Sequence, residues 1–183
     1  MIIASEKRKS NIAEYLLYMW QIEDMIRANN LDIERIKANV IDRYKGLSDA
    51  QRNDMTEWYE SLIDMMRQEG VEKNGHLQMN KNILSALVAL HQALLKDPKF
   101  QIYTAEFYKT LPYIVELRSK AGDVKAGEIE TCFNALYGML MMRLQQKEIS
   151  AQTMDALKQI SHFIAVLSHN FKLDEEEKLF DKD

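Results

Sequence analysis

Apolar residues recur along this chain at three- and four-residue steps, the rhythm that lines one side of an α-helix. Ile12, Tyr15, Leu16, Met19, Ile22 and Ile26 follow it, which predicts a first helix from about Ser5 to Ala28. Asn29-Asn30 interrupts the rhythm. Asp32 then stands at a capping position before a second helix carrying Ile33, Ile36, Val40 and Tyr44, with Gly46 where a left-handed helix-ending residue belongs. Ser48 and Gln51 form a capping-box pattern that opens a third helix, whose face is Met55, Trp58, Tyr59, Leu62, Met65 and Met66, and Gly70 stops it. Two glycines and an asparagine between Gly70 and His76 mark the longest predicted loop.

A fourth helix is expected from about Gln78 to Lys96. Asp97-Pro98 starts a fifth, since proline at the first helical position loses no needed hydrogen bond. That helix carries Phe100, Tyr103, Phe107, Leu111 and Ile114. Pro112 is expected to kink or divide it near Thr110, and Gly122 to close it. A sixth helix, from about Val124 to Gln146, holds Ile129, Phe133, Leu136, Leu140 and Leu144. Ser150 caps a seventh, bearing Leu157, Ile160, Phe163, Ile164, Leu167 and Phe171. No run alternates apolar and polar residues for long enough to suggest a strand. The pattern therefore predicts an all-α fold: an up-and-down bundle of six to seven antiparallel helices, as one domain over residues 1–173, with an acidic C-terminal tail over 174–183.

Composition changes this picture little. A 46% hydrophobic and 28% charged chain of 183 residues suits a folded protein with a continuous core. The net charge of −4 leaves no cationic stripe to displace counterions from phosphates, which argues against nucleic acid as a partner. The apolar stretch from Ile83 to Leu95 falls short of the ~20 residues that span a bilayer, so no membrane partner is expected. Met1-Ile2-Ile3-Ala4 is too short for a secretory leader, and Cys132 alone allows no intrachain disulfide. Both features point to the cytoplasm.

Three ionisable residues break the apolar stripes. Glu23 projects ~20° from Ile12 on the first helix. His91 projects amid Leu84, Leu87, Val88 and Leu95 on the fourth, and Arg143 falls between Cys132 and Leu136 on the sixth, near enough to the helix end to snorkel outward. A buried charge needs a partner. In one reading Glu23 pairs with Arg27 or Arg143 and His91 is neutral and hydrogen-bonded. In the other, Glu23, His91 and Arg143 surround one cavity that binds a small polar or anionic ligand, with Tyr137 lining it.

Catalytic and metal motifs are missing. The residues three before His91, His162 and His169 are Val88, Gln159 and Val166, so the Glu-x-x-His spacing of helical di-metal sites does not occur. His162 and His169 share a polar face with Asp155 but lie ~10 Å apart along the axis, too far for one zinc ion. Cys132 has apolar neighbours and no base, the setting of an inert packed thiol. There is no glycine-rich phosphate loop and no nucleophile motif. No cofactor and no catalytic residue is expected, and the chain leans away from being an enzyme.

The opening stretch Asn11-Ile-Ala-Glu-Tyr-Leu-Leu-Tyr-Met-Trp-Gln-Ile-Glu-Asp-Met-Ile-Arg27 resembles the start of a family of uncharacterised bacterial proteins from Bacteroidetes, of the domain-of-unknown-function 4924 type. The resemblance extends over the whole chain and implies an all-helical fold. It carries no activity, cofactor or partner, so no residue role follows from it. Amphipathic helices bearing Trp20, Trp58 and many methionines suggest action through a protein partner, first of all a second copy of the chain. A small-molecule-binding bundle built on the trio of ionisable residues is the alternative.

Overall fold

A computed structural model of the protein describes residues 2–121 and 126–180. Among the described residues there are eight α-helices and no strand. The helices are α1 (Ile2–Ser10), α2 (Ile12–Ala28), α3 (Ile33–Asn39), α4 (Asp49–Gln68), α5 (Gln78–Lys96), α6 (Gln101–Ala121), α7 (Glu128–Leu144) and α8 (Ala151–Glu175). Single 3-10 turns at Ile41–Arg43 and Pro98–Phe100 precede α4 and α6.

The helix starts follow their caps. Asp32 accepts the backbone N–H groups of Glu34 and Arg35, and Ser48 exchanges hydrogen bonds with Gln51 in a complete capping box. Ser150 accepts from Thr153. Gly46, Gly70 and Gly75 take positive φ, a conformation that costs glycine little.

The expected first helix is two. Asn11 interrupts it, and its Oδ1 accepts the N–H of Ala13, so a short polar side chain recaps the backbone and starts α2 anew. Pro112 does not divide the fifth predicted helix, because α6 runs unbroken through it. The pattern starts the sixth helix at about Val124, whereas α7 begins at Glu128 with Gly127 as its N-cap. Gly122 and Val124 lie outside the described residues. The last helix runs on to Glu175, two residues into the segment expected to be a tail.

The chain's internal contacts form two compact units, Met1–Lys9 with Glu14–Asn82 and Ser10–Ala13 with Ile83–Asp183. In the first, Leu16, Met19, Ile26, Ile36, Tyr59, Met66 and Leu77 are fully buried side chains. In the second, α6, α7 and α8 pack pairwise and bury Ile114, Phe133, Ile160, Phe163 and Leu167. Each such side chain contributes about 1.5–3 kcal/mol on leaving water. No helix among the described residues is long and apolar enough to cross a membrane.

Candidate functional site

Trp20, Glu23 and Arg27 stand at steps of three and four on α2, which brings them within ~60° of arc on one face. That face meets the α4–α5 loop, the segment from Glu69 to Leu77. Glu23 is fully buried. Its Oε1 accepts the backbone N–H of Leu77 at 2.9 Å and the side-chain amide of Asn80 at 2.7 Å. Its Oε2 lies 2.6 Å from Nδ1 of His76. Three donors thus converge on one carboxylate, which is how a buried charge is tolerated.

Trp20 and Arg27 complete the arrangement. The indole stacks on the imidazole of His76, with centroids 4.2 Å apart and planes 13° from parallel. The Arg27 guanidinium donates to the carbonyls of Val71 and Gly75 and pairs with Asp24 at 2.8 Å. Glu69 accepts the N–H of Gln78 and closes the start of α5 from the other side. The loop is therefore held at both ends by one face of α2.

Neither of the partners expected for Glu23, Arg27 and Arg143, bonds to it. Arg27 turns to backbone carbonyls, which its planar fork of donors fits better than a single carboxylate already saturated by other groups. His76, Leu77 and Asn80 take the place instead. Sequence reasoning misses them because the loop lacks a period that would place it against α2. The usable signal is the requirement itself: an acid inside an apolar stripe must draw donors from somewhere.

His91 is buried in the second unit, as the apolar stripe of α5 predicts. Its Nδ1 lies 2.6 Å from the Tyr103 hydroxyl, and its ring meets Phe107 and Phe163 edge-on. Burial lowers its pKa below the ordinary histidine value, with the Glu128 carboxylate pulling weakly the other way. Burial also lifts the Tyr103 phenol well above its usual range. The hydrogen bond expected for His91 is the one to Tyr103.

Arg143 is exposed rather than enclosed, a correction to the projection, because its place in the last turn of α7 lets a long side chain reach water. It lines a groove of about 410 Å³ with Met139, Met154, Lys158 and His162, its Nη2 3.9 Å from the Met154 sulfur. Tyr137 is half-buried on α7. Each of the ionisable trio has its own surroundings: the loop clasp for Glu23, an aromatic nest for His91, an open groove for Arg143. Among the described residues no group of three or more His, Cys, Asp or Glu side chains could hold a metal ion.

One further surface stands out. α6 buries Tyr103, Phe107, Thr110 and Ile114 on its inner side, yet its outer side carries Ile102, Tyr108 and Val115, exposed by 81%, 62% and 55%. Ala105 and Pro112 continue this outer row and are exposed as well. A helix apolar on two sides has one side without a partner in its own unit.

These features define an all-helical protein with a saturated acid–imidazole clasp and an outward apolar helix face. The family follows from sequence: the chain belongs to the family described as Domain of unknown function (DUF4924), whose model matches residues 1–178. No match is found among curated proteins or among solved structures.

Proposed function

We propose that this protein acts by protein–protein association, and that its first partner is a second copy of itself, joined through the outer face of α6. The observation that carries the reading is the exposed row Ile102, Ala105, Tyr108, Pro112 and Val115. Soluble proteins seldom leave large apolar side chains in a continuous row unless something covers them.

Charge favours a second copy. Lys109 and Glu116 project ~20° apart, between Ile102 and Ala105, and within α6 they pair with Glu106 and Lys120. When two α6 helices pack antiparallel about a twofold axis near Pro112, equal flanks face each other, so Lys109 of each copy meets Glu116 of the other. The reading places the protein in the bacterial cytoplasm, supported by the lone buried thiol of Cys132 and by the resemblance of its opening helices.

Light scattering on the eluting protein over a range of concentrations tests the proposal. A dimer is expected, and Tyr108→Lys with Val115→Lys is expected to return it to monomer with unchanged helix content. A wild-type protein that stays monomeric at the highest concentration overturns it.

A further inference from the structure

We infer that His76, oriented by Glu23, is a ligand-binding site whose Nε2 accepts a hydrogen bond or a proton from a neutral O–H or N–H group. The tautomer follows from the neighbours. An ionised Glu23 offers only acceptors, so at 2.6 Å the hydrogen between them sits on Nδ1, and in the neutral imidazole Nε2 carries the lone pair. Trp20 fixes the plane of the ring from one face. The His76 side chain keeps 34% of its surface exposed while Glu23 keeps 1%, so the charge is inside and the imidazole edge is outside. Among the described residues no side chain or backbone group bonds Nε2.

The site is also preorganised. Arg27 holds the carbonyl of Gly75, the residue before His76, and Glu23 holds the N–H of Leu77, the residue after it. The imidazole therefore loses little conformational freedom when a ligand arrives. A buried carboxylate behind an imidazole is the arrangement that fixes the tautomer and strengthens the far nitrogen as an acceptor. The ligand class follows from charge. The Arg27 guanidinium is already committed to Asp24, Val71 and Gly75, and the Glu23 carboxylate behind the ring disfavours an anion at the far nitrogen. A neutral hydrogen-bond donor fits and a carboxylate does not. Glu23 is a positioning residue here, since only His76 touches the ligand.

The full-length protein provides the test. In mildly alkaline buffer, two-bond nitrogen–proton correlation of the histidine rings is expected to show His76 with its hydrogen on Nδ1; a hydrogen on Nε2 overturns the inference. Diethyl pyrocarbonate, which acylates an unprotonated imidazole nitrogen, is expected to label His76 faster than the exposed His169. Glu23→Gln is expected to slow His76 by about tenfold while leaving His169 unchanged. Equal rates at His76 and His169 in the wild type, or an unaltered His76 rate in a folded Glu23→Gln protein, overturns it. Phenol is expected to protect His76 from acylation and sodium acetate to leave it reactive. Protection by both or by neither overturns the ligand class. The tautomer and the wild-type rates need no variant, so misfolding of the Glu23→Gln protein would not shield the idea.

Discussion

Glu23 and Arg27 lie one helical turn apart on α2 and divide the α4–α5 loop between them. Arg27 holds the carbonyls of Val71 and Gly75, and Glu23 holds the imidazole of His76 and the N–H of Leu77. One residue supplies donors and the other acceptors, so these polar groups of the loop are satisfied without a strand or helix of its own. Both residues fall in the opening stretch that carries the family resemblance, as does Trp20 beneath the imidazole.

Removing the acid should be costly. Glu23→Ala leaves the Leu77 N–H, the Asn80 amide and His76 Nδ1 without their shared acceptor, at a point where the Glu23 side chain is fully buried. A loss of about 3–5 kcal/mol is expected, read from urea unfolding midpoints. Glu23→Gln keeps one acceptor oxygen but turns an N–H toward His76, so about 1–3 kcal/mol is expected. A loss under about 0.5 kcal/mol for the alanine variant would mean that the carboxylate holds nothing.

Arg27→Lys tests the other end. A lysine keeps the charge but lacks the fork that reaches two carbonyls at once. Amide hydrogen exchange is expected to quicken between Val71 and Leu77 and to stay unchanged in α7 and α8, since both carbonyls that Arg27 holds belong to the loop. Unaltered protection of the loop would show that Glu23 and the buried Val71 hold it alone.

Much of the fold was legible because helices are local. Asp32, Ser48 and Ser150 each sit where they cap, and the fourth helix runs from Gln78 to Lys96 as its stripe predicts. The misreadings come from competition that periodicity does not register. At Asn11 the apolar rhythm continues, but the side chain captures the N–H of Ala13 and breaks the helix. At Pro112 the local rule predicts a kink or a division, and the division does not occur: α6 runs on past the buried Phe107 and Ile114. The site divides the same way. That Glu23 and His91 are buried was readable from one helix each. Which donors reach Glu23 depends on where a loop without periodicity lands, and only the folded chain determines that. The projection misplaces Arg143 because a helical wheel locates the Cα, not the end of a long side chain.

Cys132 offers a check on the second unit's core. Burial pushes its thiol pKa up to about 12, with Arg118 opposing the shift. The nucleophilic thiolate is therefore scarce at neutral pH, and the sulfur is also out of reach. Iodoacetamide is expected to leave the native protein unlabelled over hours and to label it completely in denaturant. Rapid labelling under native conditions would mean that α7 opens locally. Cys132→Ser places a hydroxyl among apolar neighbours, and a loss of about 1–3 kcal/mol is expected.

His91 makes stability depend on pH in a definite direction. Its folded-state pKa lies below the ordinary value because burial among Tyr103, Phe107 and Phe163 penalises the imidazolium. Between the folded and unfolded values, the unfolded chain binds the proton and the folded chain does not. Stability therefore rises with pH through that window. The contribution of His91 is fully present above the unfolded value of about 6.5 and declines as the pH falls below it. It levels off once the folded protein also takes up the proton. Unfolding free energies measured from mildly alkaline to mildly acidic buffer should show this decline in the wild type. His91→Gln cannot titrate, so the difference between the two curves isolates the histidine. The Gln variant should be less stable at alkaline pH, where the Tyr103 partnership and the aromatic packing are disturbed, and the gap should narrow on acidification. Parallel curves across the whole range would mean that His91 reaches solvent in the folded state.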